Sequence, residues 1–185
     1  MENTAVKREV VGSEKRGLGV REILLTGILL AAGAVLKFFV GSVINFGMKP
    51  NFIIAMYCLI ILLIKPRFLE AAVIGILAGA ICQFFPGQPY INFVSELAGA
   101  AAMCLLCKLP LERFRIPVKT LACTFLSTLV SGFSFIGVMY LLYYSGANIT
   151  PTPLGIFMAI IFGTASINAI IVQALYIPLK LALKR

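Results

Sequence analysis

The sequence predicts an all-α integral membrane protein with six transmembrane helices and both termini in the cytoplasm. Of its 185 residues, 61% are hydrophobic and 12% are charged, and the mean hydropathy is +1.02. The apolar runs, separated by short polar or Pro/Gly breaks, suit the roughly 20 residues that a helix needs to cross the hydrocarbon core. The basic residues are also distributed unevenly along the chain. These observations indicate a protein whose solvent is lipid, where a helix satisfies its own backbone hydrogen bonds.

The positions of the breaks define the six spans. Residues 1–22 are polar and mixed in charge, so we expect a cytoplasmic N-terminal tail rather than a signal peptide. Residues 23–185 then form one six-helix membrane domain. The loop GSVINFGMKPNF precedes the second span, a basic hairpin precedes the third, and FFPGQPYIN follows it. The predicted spans are 23–43, 51–64 with its flanks, 69–86, 90–107, 118–144 and 154–181.

The basic residues predict the orientation of these spans. With the amino terminus inside, only Lys37 and Lys49 lie away from the cytoplasmic side. This asymmetry follows the positive-inside rule, and shifting the count by one helix would abolish it. The basic residues placed on the cytoplasmic side are Lys7, Arg8, Lys15, Arg16, Arg21, Lys65, Arg67, Lys108, Arg113, Arg115, Lys119, Lys180, Lys184 and Arg185.

The sequence argues against an enzyme and against a cofactor or metal protein. It has no histidine, one carboxylate away from the cytoplasmic side, and no GxxxxGK[ST] loop that would bind a nucleotide phosphate. Cys104 and Cys107 form a CxxC spacing without a second pair to complete a zinc site. We therefore expect no catalytic residue, no metal, no cofactor and no ATPase of the chain's own, and we interpret the five cysteines as small core residues.

Ionisable residues within the spans are the strongest indication of a binding site. Glu96 lies about six residues, or roughly 9 Å, into the fourth span, and a carboxylate at that depth usually faces a bundle interior or a wet cavity. Lys37 lies at a similar depth in the first span, and Lys49 lies in the loop before the second. The alternative for the lysines is snorkelling, in which the ammonium reaches the lipid headgroups. For Glu96 the alternative is a structural ion pair.

Two amide side chains share helical faces with other polar residues. Asn92 precedes Glu96 by one turn, and Asn168 follows Thr164 by one turn. We consider both asparagines as candidate ligand contacts, with helix–helix hydrogen bonding as the alternative. Most aromatic residues at the outer ends form an interfacial belt in this interpretation, with two or three lining a pocket. They are Phe38, Phe39, Phe46, Phe52, Phe84, Phe85, Tyr90, Phe93, Tyr140, Tyr143 and Tyr144.

Small residues at four-residue spacing predict two close helix contacts. Gly27 and Ala31 form such a pair in the first span, with Ala34 extending the smooth face, and Gly75 and Gly79 repeat the spacing in the third. The face around Gly27 either docks a partner or packs inside the bundle.

Four segments of the chain resemble the tryptophan-type substrate-binding subunits of energy-coupling factor importers. They are GMKPNF from Gly47 to Phe52, EAAVIGILAGAI, FFPGQPYIN and SINAIIVQALYIPL. The resemblance implies a six-helix bundle of a bacterial plasma membrane that captures a micronutrient and joins a transmembrane coupling protein and two ATP-binding cassette subunits. It also implies that Gly27, Ala31 and Ala34 meet the coupling protein.

The resemblance further implies that Lys49 and Asn51 cap the pocket beside Asn92 and Glu96. Family members tend to carry an Asp-Lys pair where this chain has Ser95 and Glu96. A lysine can bind the carboxylate of an amino acid, Glu96 can bind its ammonium, and outer aromatic residues can enclose an indole. This chemistry favours tryptophan as the substrate. The remaining hypotheses are another vitamin-like substrate, a self-sufficient secondary carrier that uses Glu96, and a scaffold without a ligand.

Overall fold

The computed structural model describes residues 17–43, 50–86, 88, 90–109 and 116–183, and these residues form helices and loops without a strand. The described helices are α1 (Val20–Val43), α2 (Ile53–Ile64), α3 (Phe68–Cys82), α4 (Ile91–Lys108), α5 (Ile116–Tyr144) and α6 (Leu154–Ala182). The predicted all-helical class is therefore confirmed. The N-terminal tail and the single membrane domain stay predictions.

The helix ends differ from the predicted spans where local hydrogen bonds decide them. Helix α1 begins three residues early, and the Glu22 carboxylate accepts the Gly19 N–H at 2.9 Å just before that start. Helix α3 ends at Cys82, four residues before the predicted end. The next N–H groups, at Gln83, Phe84 and Phe85, bond three residues back, and Pro86 disfavours helical backbone in the residue before it.

Four of the helices are long and apolar enough to cross a membrane, namely α1, α4, α5 and α6. Helices α2 and α3 have 12 and 15 residues, so they cover only about 18 and 23 Å of a hydrocarbon core of about 30 Å. The protein is thus an all-helical membrane protein. The count of six spans and the cytoplasmic position of both termini stay predictions.

Helix α2 occupies the centre of the bundle. All twelve of its residues are buried, and it contacts each of the other five described helices. Around it, α3 packs on α4, α4 on α5 and α5 on α6, while α1 packs on α2 and α3. The main apolar cluster is built on α2 because its large aliphatic side chains are surrounded on every side.

Glycines bring α3 and α4 into backbone contact. A Cβ at Gly75 would lie 2.8 Å from the carbonyl oxygen of Glu96, and one at Gly79 would lie 2.9 Å from Cα of Phe93. Such distances leave no room for a side chain, so the predicted close contact at Gly75 and Gly79 is present. It fixes the height of α4, and with it Glu96, against α3.

Candidate functional site

A cavity lies at the end of the bundle where α1, α3 and α5 finish and α2, α4 and α6 begin. Its volume is about 100 Å³, several times the roughly 10–15 Å³ that one water molecule needs. Its charged and amide residues are Lys37, Asn51, Gln88, Asn92 and Glu96. Hydroxyl groups come from Ser95, Thr128, Ser131 and Thr164. The apolar wall consists of Ile54, Pro86, Gly132, Phe135, Phe157, Ile160 and Ile161.

Glu96 is almost completely buried in the cavity wall. Its side chain is 1% exposed. The Asn51 amide donates a hydrogen bond to one carboxylate oxygen at 2.5 Å, and the Ser131 hydroxyl donates to the other at 3.5 Å. Desolvation of a carboxylate is expensive, and hydrogen bonds from neutral donors compensate only part of it. The Glu96 carboxylate can therefore pair with a cationic group of a ligand.

Lys37 points into the bundle. It is 6% exposed, its ammonium donates to the Cys82 thiol at 3.2 Å, and it lies 5.1 Å from the centroid of the Phe85 ring. A snorkelling lysine would instead place its ammonium at the membrane surface. Here the cation faces the same cavity as Glu96.

Asn51 connects these two charged residues. Its amide lies 3.7 Å from the Cys82 sulfur, which accepts from Lys37, and the same amide donates to Glu96. Its backbone carbonyl accepts a hydrogen bond from the Asn168 amide of α6 at 3.1 Å. Contacts to α3, α4 and α6 thus position Asn51 before α2 begins.

The structure brings together most of the residues predicted from the sequence. Lys37, Asn51, Asn92 and Glu96 line one cavity. Asn168 lies behind it, fully buried, and its carbonyl oxygen has no hydrogen-bond partner among the described residues. Lys49 lies outside the described residues.

The small-residue face of α1 is separate from the cavity. Gly27 and Ala31 are exposed on the bundle surface and Ala34 is partly exposed. Among the described residues, a Cβ at Gly27 would meet nothing within 4 Å. Gly33, on another side of α1, is the glycine that packs inside, since its Cβ would lie 2.8 Å from Cγ of Met56.

The cavity aromatics were not among the aromatic residues singled out in the sequence. Phe135 and Phe157 line the cavity, with ring centroids 6.2 Å apart. Of the predicted group, Phe85 contacts Lys37, whereas Phe84 and Tyr90 are exposed. The feature of the sequence that could have indicated a polar face on α5 is its set of hydroxyl residues, which recur at helical spacing. All of them are buried. They are Thr120, Thr124, Ser127, Thr128 and Ser131.

The arrangement suits a small zwitterion with a hydrophobic side chain. The carboxylate of Glu96 and the ammonium of Lys37 offer complements for an ammonium and a carboxylate. Phe135, Phe157 and Ile161 offer an apolar surface on α5 and α6. A few placed polar groups in an apolar pocket are typical of a small-molecule site.

Comparison with known proteins identifies the family. The family described as "Tryptophan transporter TrpP" matches residues 19–184. The chain belongs to the TrpP family. A relative described as "Probable tryptophan transport protein", from Clostridium acetobutylicum, is 24% identical over 170 residues, which cover 90% of this chain and 96% of the relative. No solved structure matches the chain.

Membership of the TrpP family confirms the predicted resemblance to a tryptophan transport family. Together with the long apolar helices, it makes this chain a multi-pass transport protein of the plasma membrane.

Proposed function

We propose that this chain is the high-affinity substrate-binding subunit of a tryptophan importer of the energy-coupling factor type. The observation that carries the proposal is the cavity, where a buried carboxylate and a buried ammonium accompany an aromatic wall. The family match and the name of the Clostridium relative support tryptophan as the substrate.

In the proposed complex, Glu96 receives the ammonium of tryptophan and Lys37 receives its carboxylate. Asn51 and Asn92 donate or accept further hydrogen bonds beside them. The indole lies against Phe135 and Phe157, because contacts between aromatic rings stabilise a complex beyond the burial of their apolar area. Lys49 is proposed to cap the cavity as a second cation, and Asn168 contributes by positioning Asn51.

The proposed partners are a transmembrane coupling subunit and two ATP-binding cassette subunits. The coupling subunit would dock on the Gly27, Ala31 and Ala34 face of α1. Support comes from the exposure of this face and from the empty space beside Gly27, since small residues allow close approach of helices in lipid.

The test exploits a property of the sequence, which contains no tryptophan. We would purify the protein in detergent with a tryptophan-free tag, dialyse it against tryptophan and record indole fluorescence. We expect saturable retention of tryptophan and a blue-shifted emission as the indole leaves water. Replacing Glu96→Gln keeps the acceptor for Asn51 but removes the charge, and should weaken binding at least tenfold, about 1.4 kcal/mol.

The matched control is Ser166→Ala on α6. Ser166 is exposed on the bundle surface and donates only to the Phe162 carbonyl of its own helix at 2.9 Å. This variant should bind tryptophan like the wild type. Folded wild-type protein that retains no tryptophan would contradict the proposed substrate, and undiminished binding by Glu96→Gln would contradict the proposed site.

A further inference from the structure

Gly132 lies where α5 approaches α6 in the apolar wall of the cavity. A Cβ built on it would lie 2.8 Å from Cγ1, 2.9 Å from Cγ2 and 3.0 Å from Cδ1 of Ile161. All three atoms belong to the Ile161 side chain. Any residue larger than glycine at this position must therefore displace that side chain.

Ile161 borders open space on its cavity side. It is 5% exposed and belongs to an apolar cluster with Ile136, Met139 and Phe157. Protein interiors are close-packed, so the cluster resists displacement. The open space beside Ile161 is the cavity, which both Ile161 and Gly132 line.

The same wall carries the two cavity aromatics. Phe135 follows Gly132 by nearly one turn on α5, and Phe157 precedes Ile161 by about one turn on α6. Together the four residues form the side of the cavity proposed for the indole. The charged residues Lys37 and Glu96 lie on other helices, α1 and α4.

We propose that Gly132, through its contact with Ile161, sets the size of the side chain that the cavity accepts. This inference rests on the proposed function, because it assigns the ring of tryptophan to this wall. Without a Cβ at position 132, Ile161 stays back and leaves width for a two-ring side chain. One methylene more or less in an apolar pocket changes discrimination by about 10- to 200-fold.

The experiment compares tryptophan and phenylalanine, which share the amino-acid group and differ in ring size. Binding of each radiolabelled amino acid is measured by equilibrium dialysis on the purified full chain, together with its thermal unfolding. Gly132→Ala should weaken tryptophan binding at least tenfold and phenylalanine binding much less. The ratio of the two affinities is the readout, since a general loss of folding would lower both.

Two further variants isolate the contact. Gly132→Ala combined with Ile161→Ala removes the three atoms that the new Cβ would meet, and should restore tryptophan binding toward the wild-type value. Gly137→Ala is the matched control on α5, because a Cβ there meets nothing within 4 Å. It should leave both affinities unchanged.

The outcomes separate this inference from the proposed function. If the wild type binds tryptophan and Gly132→Ala binds it equally well, this inference alone is overturned. Equal loss of both ligands without rescue by Ile161→Ala would also overturn it and make Gly132 a helix-packing residue. Folded wild-type protein that binds no tryptophan would overturn the proposed function and this inference with it.

Discussion

Lys37 and Glu96 are charged groups buried inside a membrane protein. The Cys82 thiol accepts a hydrogen bond from Lys37, and amide and hydroxyl donors contact Glu96. A buried charge is costly unless it is paired and hydrogen-bonded. The two groups thus lower the stability of the empty protein, and in the proposed complex a zwitterionic ligand would pair with both.

Analogues that lack one charge test which residue meets which end of the ligand. Tryptamine has no carboxylate, and indole-3-propionate has no ammonium. We expect Lys37→Gln to weaken tryptophan binding at least tenfold while leaving tryptamine binding nearly unchanged, because only the carboxylate loses its partner. Glu96→Gln should spare indole-3-propionate. Equilibrium dialysis of the wild type and both variants with each of the three ligands measures these affinities.

Lys65→Gln is the control for these substitutions. Lys65 is exposed and follows the last residue of α2, at the end of the bundle opposite the cavity. Its replacement should change none of the affinities. A Lys37→Gln variant that binds tryptamine as weakly as it binds tryptophan would contradict the assignment of Lys37 to the ligand carboxylate.

At the scale of single residues, sequence reasoning identified charge and amide groups but not apolar wall residues. Glu96, Lys37 and Asn92 stand out because an ionisable or amide group is rare in an apolar run. Phe135, Phe157 and Gly132 do not, because apolar residues in a membrane helix look alike whether they face lipid, a neighbouring helix or a cavity. Asn168 has the pattern of a ligand contact, yet its amide holds the Asn51 carbonyl.

At the scale of helices, α1 presents two different glycine faces. Gly33 packs against Met56 and Ile53 of α2, whereas a Cβ at Gly27 would meet nothing within 4 Å in the part of the chain that the structure describes. In lipid, apolar surface alone gives little reason for helices to associate, so a smooth exposed face suits close contact with another helix. Variants at the two positions can therefore test the packing role of Gly33 and the proposed docking role of Gly27 separately.

Replacing each glycine with leucine should have opposite consequences. Gly27→Leu should keep the wild-type unfolding temperature and tryptophan affinity but should not copurify with the coupling subunit. Gly33→Leu should unfold at a lower temperature, because overpacking against α2 costs about 1–3 kcal/mol. Thermal unfolding and copurification provide both readouts. Loss of tryptophan binding in Gly27→Leu would contradict the docking role.

The sequence predicts where most helices begin and end but not where local geometry stops them. Apolar runs and charged or Pro/Gly breaks placed the starts of α4 and α6 within a residue. The end of α3 was predicted too late because the apolar character continues through Phe84 and Phe85, while the backbone already turns with bonds three residues back. Hydropathy does not report backbone conformation.

At the scale of the whole molecule, the central position of α2 was not predictable from its sequence. Its neighbours are also apolar, so no amphipathic face shows which helix is enclosed. The residues of the cavity wall were not predictable for the same reason, because five helices and their loops contribute to it. The sequence therefore predicted a site around Glu96 but not the α5 and α6 surface opposite the charges.

The proposed energy coupling is tested on the whole molecule. In proteoliposomes, we expect the chain alone to bind tryptophan without accumulating it. Accumulation should require the coupling subunit, both ATP-binding cassette subunits and ATP, because the sequence has no phosphate-binding loop of the GxxxxGK[ST] type. Uptake of labelled tryptophan into the vesicles is the measurement. Accumulation by the chain alone that a proton uncoupler abolishes would instead indicate a secondary carrier.

The complete enclosure of α2 has a consequence for the path of the cargo. Beyond Ile54, which lines the cavity, the remaining 10 residues of α2 are all buried, so about 15 Å of packed helix lies between the cavity and the far end of α2. Opening a channel through it would separate close-packed helices on every side. The resemblance to energy-coupling factor importers implies movement of the whole bundle within the bilayer, which would leave this packed helix intact.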